Sequence, residues 1–506
     1  MPFPNFSIDL HCHPQYKPFG RSHKDAKKKP EPQSTSPSNR SSLWHYDPPS
    51  LSDKLFNIFF SVTKFSQTNL TSAQYGRNMV LTAGLGATEQ GFLKNKLGTH
   101  IIADLINDFA AGFGIPRINT IQALKDYWKD FMNEMKFMEE CENNTVKIDG
   151  HWFTYRLPRN FTELQLNIAA NDDPEVGQKS SKPIIMSIIC AVEGMHVLNC
   201  GLEKECDPAE VKKNAKALKN LDHSPWFVTF AHHFYNELCG HARSLRKEIG
   251  KLTDQEKGVN SGFTKLGEEV LDILLDKTGG KRILVDVKHM SPLSRKRFYE
   301  LRKTKYNNEV PIFMSHGVCN GLPAYGQTVS KYPELGDTFI TPLEDKIGGD
   351  GKFKDHNLIN FYDDEIIAMV QSAGIIGIQL DERRLANDEA IKNVKNSLFR
   401  NKIMHYRSKL VWNQVQYIAE LLDDNGLYAW GNMGIGSDYD GLVDPLNAYW
   451  TMEEYDDLAG YLERHAYTYF KDHPDRLKHS FNKIKADEVV QKIFHDNAWN
   501  FFRTWF

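Results

Sequence analysis

Five short stretches of the chain carry side chains that bind metal ions or move protons. They are Asp9-Leu10-His11-Cys12-His13, Val192-Glu193-Gly194, Lys288-His289, Ser315-His316 and Gly436-Ser437-Asp438-Tyr439-Asp440-Gly441. In His-x-His on a strand, the two-residue side-chain period puts His11 and His13 on one face, where both rings can clasp one ion. Glu193 ends an apolar run, where a carboxylate is costly unless it is paired or bound to metal. Its two oxygens can bridge two ions, and two further histidines can complete the second. Two divalent ions roughly 3.5–4 Å apart would share a water, lower its pKa toward neutrality and hold it for attack on a carbonyl or phosphoryl centre. The His-rich mixture of nitrogen and oxygen donors prefers zinc. Each residue alone has a plainer role: a chance His-x-His among 19 histidines, a hydrogen-bonded histidine at an element end, or turn aspartates before Gly441. It is the conjunction at successive strand ends that points to metal.

Such groups can meet only if the backbone brings them to one place. Eight β-rich runs are bounded by Gly, Pro or polar clusters: Phe6–Leu10, Met79–Ala83, Ile184–Val192, Phe227–Ala231, Ile283–Val287, Val310–Ser315, Ile375–Leu380 and Met433–Ser437. Several are almost continuously apolar, as parallel strands buried on both faces are. Helical patterns separate them, for example Leu266, Val270, Ile273 and Leu274, and the run from Val411 to Leu422. This predicts an α/β protein, a (β/α)8 barrel with long insertions in its βα loops; a doubly wound open sheet is the alternative. In a barrel the ligands lie at the C-terminal strand ends, as these do.

The insertions are expected at about 14–55, 95–175, 200–222 and 321–360 of a single catalytic domain spanning 1–506. Residues 15–50, rich in Lys, Pro, Ser and Asn, read as an exposed mobile loop. Within 95–175 two helical stretches are expected, at 101–113 and 124–138, then a hairpin from Val146 to Leu157 turning at Asp149-Gly150. The segment 321–360 is punctuated by Gly and Pro, and no internal repeat is visible. Some insertions leave the same face as the ligands and are expected to wall the substrate site.

Composition excludes other classes. Lys+Arg number 62 against 65 Asp+Glu, so there is no basic field for nucleic acid and no acidic tail. No window approaches the ~18 uninterrupted apolar residues of a membrane helix, and the first residues lack a signal-peptide pattern. A cytoplasmic protein with no membrane or nucleic-acid partner is expected, and a homodimer is possible. Seven scattered cysteines without a CxxC pair read as reduced thiols.

Together the segments Ala191-Val-Glu-Gly194, Ile283-Leu-Val-Asp-Val-Lys-His-Met-Ser291, Ile312-Phe-Met-Ser-His316 and Gly434-Ile-Gly-Ser-Asp-Tyr-Asp-Gly441 resemble the membrane (renal-type) dipeptidase family, peptidase family M19 of the amidohydrolase superfamily. Gly262 to Val270, Gly374 to Ile378 and Asp496 to Arg503 resemble its framework. The resemblance implies that His11 and His13 bind one metal, that Glu193 bridges, and that His289 and His316 bind the second. Asp438 would stay close to the first metal and act as general base, then acid. The family also uses a histidine after strand four against the oxyanion. Aligning the strand favours His232, whereas the family's H-x-x-N spacing favours His233 with Asn236.

Two departures from the family bear on the site. Its typical strand-one motif is His-x-Asp, and His13 replaces that anion, which raises the net charge of the site and should acidify the bound water. Mammalian-type members also grip the dipeptide carboxylate with an arginine after the strand-six histidine, whereas Gly317 to Thr328 contains no Arg or Lys. Arg383 and Arg384 could supply that clamp, although two solvated surface charges are the plainer reading. The expected enzyme is a dipeptidase-like metallohydrolase using two divalent ions, most simply Zn2+, and a bridging hydroxide on a small-molecule or dipeptide substrate. The alternatives are a lactone or phosphoester substrate, or a non-catalytic binding barrel.

Overall fold

The structure is a computed structural model. It describes the chain apart from residues 1–5, 26, 29, 31–35, 61–62, 95–111, 246–252, 328–333, 336–337, 340–358, 387–390 and 392–398. Twelve strands are described: β1 (Ser7–Cys12), β2 (Asn78–Leu85), β3 (Val146–Ile148), β4 (His151–Arg156), β5 (Ile184–Glu193), β6 (Phe227–Thr229), β7 (Leu284–Asp286), β8 (Met314–Gly317), β9 (Glu334–Leu335), β10 (Thr338–Phe339), β11 (Ile376–Ile378) and β12 (Met433–Ile435). All but the small β9–β10 pair belong to one large sheet in a mixed α/β fold.

Its parallel ladders run β7–β6–β5–β2–β1–β12–β11–β8. Between the two ends of that order, β7 and β8, one backbone hydrogen bond runs from Val287 N to Phe313 O at 3.2 Å. These eight strands are the eight expected from sequence: β6, β7, β11 and β12 are trimmed by one or two residues at one end or both, while β1, β2 and β5 run one or two residues past their expected C-terminal ends. The largest difference is at Val310–Ser315, where the strand is Met314–Gly317. Pro311 offers no N–H to a ladder, and Ile312 N donates to the Ser372 hydroxyl at 2.9 Å instead. β3 and β4 form the expected hairpin, with Asp149 and Gly150 both at positive φ (47° and 87°), as a tight two-residue turn requires.

Helices follow the strands and cover the sheet: Lys265–Leu275 before β7, Pro292–Thr304 before β8, Asp363–Gln371 before β11 and Arg400–Asp424 before β12. The first two are capped as their sequences suggest, by Thr264 accepting from Gly267 N and by Ser291 accepting from Ser294 N ahead of Pro292. The helix expected at 124–138 is Tyr127–Glu139. Most of the one expected at 101–113, and most of 321–360, lie outside the described residues. Among the described residues, no helix is long and apolar enough to cross a membrane, and all seven cysteines are free.

The reading of 15–50 as an exposed loop needs correction. Tyr16–Arg21 is helical, and Lys17, Phe19, Leu43 and Trp44 are buried. Phe19 packs against Phe137 and lies 4.7 Å beneath the Arg117 guanidinium. Lys17 Nζ donates to Asp440 Oδ1 at 2.8 Å and to the carbonyls of Thr63 and Phe65. The polar composition of 24–41 dilutes the few anchoring residues at either end, so averaged hydropathy hides them.

Candidate metal centre

β1 delivers the first two imidazoles through an irregularity. Asp9 pairs with Leu81 and Cys12 with Ala83, three residues of β1 against two of β2. The Asp9 carboxylate fills the gap, accepting from His11 N at 2.9 Å and Ser437 N at 3.1 Å, while Tyr455 OH holds its other oxygen. The two rings then converge, with Nε2 atoms 3.2 Å apart. Gly84 of β2 is required beside them, because a Cβ there would stand 2.8 Å from His13 Cε1 and 3.0 Å from His11 Cε1.

Glu193, the last residue of β5, is the hub. Its Oε1 lies 3.3 Å from His11 Nε2, 3.5 Å from His289 Nε2 and 3.4 Å from His316 Nε2. Its Oε2 lies 3.2 Å from His13 Nε2 and 3.5 Å from His232 Nε2. Asp438 Oδ1 is 3.4 Å from His13 Nε2. The donor atoms therefore fall into two groups that share Glu193: His11, His13, Glu193 and Asp438, and Glu193, His289 and His316, all within 4.8 Å of one another in each group. His289 and Asp438 hold left-handed backbone conformations (φ 65° and 60°) that a non-glycine residue adopts only where its surroundings impose it. Ala242 N donates to His289 O at 2.8 Å and Asp438 N to His11 O at 2.9 Å, which fixes both.

Burial alone would push the Glu193 carboxyl up, but the facing rings of His11, His232 and His13 outweigh it and hold it well below the usual range. Burial pulls His289 down to about 3 and also holds His316 well below its ordinary value, so both rings are neutral, as ligands must be. The buried Nε2 of His316 has no hydrogen-bond partner. An orphaned imidazole nitrogen beside a carboxylate that several further imidazoles face suits divalent cations bound by nitrogen and oxygen.

His232 and His233 both reach the site. His232 is the one whose Nε2 faces Glu193; its Nδ1 lies 2.6 Å from Glu89 Oε2. Glu89 also accepts from the backbone N–H of His233 and Phe234. His233 Nδ1 lies 2.5 Å from Ser244 Oγ and its ring packs against His289. Asn236 is buried and committed to its own loop: its amide donates to Phe230 O, and its oxygen accepts from Leu238 N and Cys239 N.

Arg383 and Arg384 are not solvated surface charges. Arg383 forms a two-pronged pair with Asp381, at 2.9 and 2.7 Å. Arg384 is buried and donates to Ser244 O. With His233, Lys288, Gln379 and Asp438 they line a cleft of about 510 Å³ beside the hub. A second cleft of about 440 Å³, lined by Tyr16, Glu89, Phe92 and His232 among others, reaches Glu193 itself and shares His233 with the first. Burial, and then the neighbouring Arg384, bring Lys288 down to about 7.

Sequence reasoning missed Asp9, Glu89, Ser315 as a partner of the ligands, Asp286 and Gln379. Gln379 Nε2 donates to Asp438 Oδ2 at 2.7 Å, and Lys288 Nζ to Gln379 Oε1 at 3.2 Å. Only Asp9 and Asp286 left a signal, as carboxylates two and three residues before a ligand inside an apolar run. Asp440, equally visible in the motif, turns away to Lys17, Ser66, Gln67 and Thr68 and ties the segment before β2 to the β12 turn.

No family model and no curated protein matches the chain. Among solved structures it is similar to a dipeptidase described as an M19-family metallopeptidase (12% identity, TM-score 0.45, covering 87% of this chain and 90% of that one). Others are a probable dipeptidase, PvdM, from Pseudomonas aeruginosa (12%, 0.45, 86% and 88%) and a Rhodobacter sphaeroides metallopeptidase bound to a phosphinate mimic of the dipeptide L-Ala-D-Ala (12%, 0.46, 87% and 91%). Two of the three are described as dipeptidases; at such distance none of them carries an argument about this chain's site or residue roles.

Proposed function

We propose that this chain is a metal-dependent hydrolase with a binuclear centre, most simply of zinc, that cleaves a small amide such as a dipeptide or N-acyl amino acid. The observation that carries the reading is the pair of donor groups sharing Glu193. His11, His13 and Asp438 would hold one ion, His289 and His316 the other, and Glu193 would serve both. When bound, the ions supply Lewis acidity that activates a water and polarises the scissile carbonyl. The eight parallel strands are read as a (β/α)8 barrel, supported by their order and by the Val287–Phe313 hydrogen bond between β7 and β8.

The chain's own groups divide the remaining work. Asp438 accepts the proton released by the attacking water and returns it to the leaving amine; Gln379 donates to Oδ2 and so leaves Oδ1 toward the centre. His232, held by Glu89, presents Nε2 where charge develops on the carbonyl oxygen. Arg384, a buried cation in the adjoining cleft with Lys288 beside it, suits a substrate carboxylate, while Arg383 is paired with Asp381.

The test is metal analysis of purified and reconstituted protein, followed by incubation with L,L and L,D dipeptides, N-acyl amino acids, a lactone and a nitrophenyl phosphate, with products read by mass spectrometry. Two equivalents of metal and amine release are expected. No bound metal after reconstitution, or phosphate release without amine release, would overturn the proposal.

A further inference from the structure

Ser315 stands between two ligands that fall in different halves of the centre. Its hydroxyl donates to Asp286 Oδ2 at 2.6 Å and lies 3.0 Å from both His11 Nδ1 and His316 Nδ1. A hydroxyl has one proton to give and two lone pairs to offer. Asp286, fully buried, serves as an acceptor for its other neighbours: Thr229 Oγ1 at 2.8 Å, Lys288 N at 3.0 Å and Ser315 N at 3.1 Å. The serine proton therefore goes to the carboxylate, and the two lone pairs remain for two imidazole N–H donors.

That accounting fixes both tautomers. His11 and His316 each carry a proton on Nδ1, so each presents a lone pair at Nε2. Both lone pairs face the same atom, Glu193 Oε1, at 3.3 and 3.4 Å. With both rings neutral, no proton lies between these three acceptors, and a cation there would reconcile them.

Resting on the binuclear reading, we infer that Ser315, backed by Asp286, is a positioning residue common to both metal ions. One hydroxyl sets the tautomer of one ligand of each ion. His13, by contrast, has a private partner in Gly84 O at 2.8 Å. Losing the Ser315 hydroxyl frees both rings to carry the proton on Nε2, which blocks coordination at both sites together.

The experiment titrates metal-free wild type and Ser315→Ala with Zn2+ against a competing chelator, with circular dichroism reporting the fold. Wild type is expected to take two equivalents, and the variant to hold both about 10–100-fold more weakly. Unchanged affinities, or weakening confined to one equivalent, would overturn the inference. Absence of uptake by wild type would remove the binuclear reading itself. A second measurement is independent of metal and of the variant's folding: long-range 1H–15N spectra of metal-free wild type labelled with 15N-histidine, with signals assigned by single His→Asn variants. Nδ1–H tautomers are expected for His11 and His316, and an Nε2–H tautomer at either overturns the inference.

Discussion

The same strands that carry imidazoles at their C-terminal ends carry large apolar side chains toward their starts, and both ends are buried. At the apolar end Ile8, Leu10, Leu284 and Ile375 pack with Trp226 and the C-terminal helix. Trp226 lies between Phe313, with ring centroids 6.2 Å apart, and Phe502, at 5.1 Å. The apolar surface there gains from leaving water, and Trp226 Nε1, buried with it without a hydrogen-bond partner, is uncharged. At the other end, within the length of the same short strands, His316 leaves water with its Nε2 unpartnered, and His11 and Glu193 are buried beside it. The apolar end can be stable without any ligand; the polar end is a standing cost that only a bound cation offsets. Stability and chemistry are thus separated along the strand axis, and the separation can be tested from both sides.

The largest effect is expected at the polar end. Asp438→Asn keeps the metal, because His11, His13 and Glu193 remain, but loses about 10³-fold in kcat. Steady-state kinetics with metal analysis decides, and near-wild-type turnover removes Asp438 from proton transfer. Trp226→Ala should do the opposite, costing about 3–5 kcal/mol of stability by urea unfolding while the folded fraction keeps its metal stoichiometry. A fall in metal content per folded molecule would show that the two ends are coupled.

A third test concerns the support behind the polar end. Glu134 is buried, where it accepts from Gln15 Nε2 at 3.0 Å and Gly86 N at 2.9 Å, and burial raises its carboxyl to about 7. The unfolded chain releases that proton near the ordinary value, whereas the folded chain keeps it. Its stabilising contribution is therefore present at low pH and lost as pH rises toward 7, by about 3 kcal/mol. In Glu134→Gln that portion of the pH dependence should vanish; parallel stability curves for variant and wild type would exclude it. The smallest effect is expected from Arg384→Ala: a rise in KM of about 10–100-fold for a substrate with a free carboxylate, with kcat little changed. An unchanged KM would leave Lys288 as the remaining cationic contact of the cleft.

Much of the strand order was legible because parallel strands buried on both faces must be apolar without alternation, as in Ile184–Val192. The ligands were legible because imidazoles and carboxylates at the ends of such runs have no other inexpensive explanation. Less legible were segments whose anchors are few. Lys17 and Phe19 sit beside a polar stretch, and nothing local marks them as buried. Arg383 and Arg384 show the same blindness: the carbonyl that Arg384 meets, Ser244 O, is distant in sequence, and Asp381, although two residues from Arg383, does not by itself mark that arginine as buried. Glu89 and Gln379 carry no pattern at all: each is defined by the partners the fold brings to it.

Sequence alone determined which residues could meet a cation and that they stand at strand ends, because side-chain type and strand period are local properties. Only the tertiary structure decided how they meet. It brought one carboxylate, Glu193, within 3.5 Å of five imidazoles, turned His232 toward that hub and His233 toward Ser244, and placed one serine between two ligands. Those choices depend on register and on hydrogen-bond accounting among residues up to hundreds of positions apart, which no local pattern encodes.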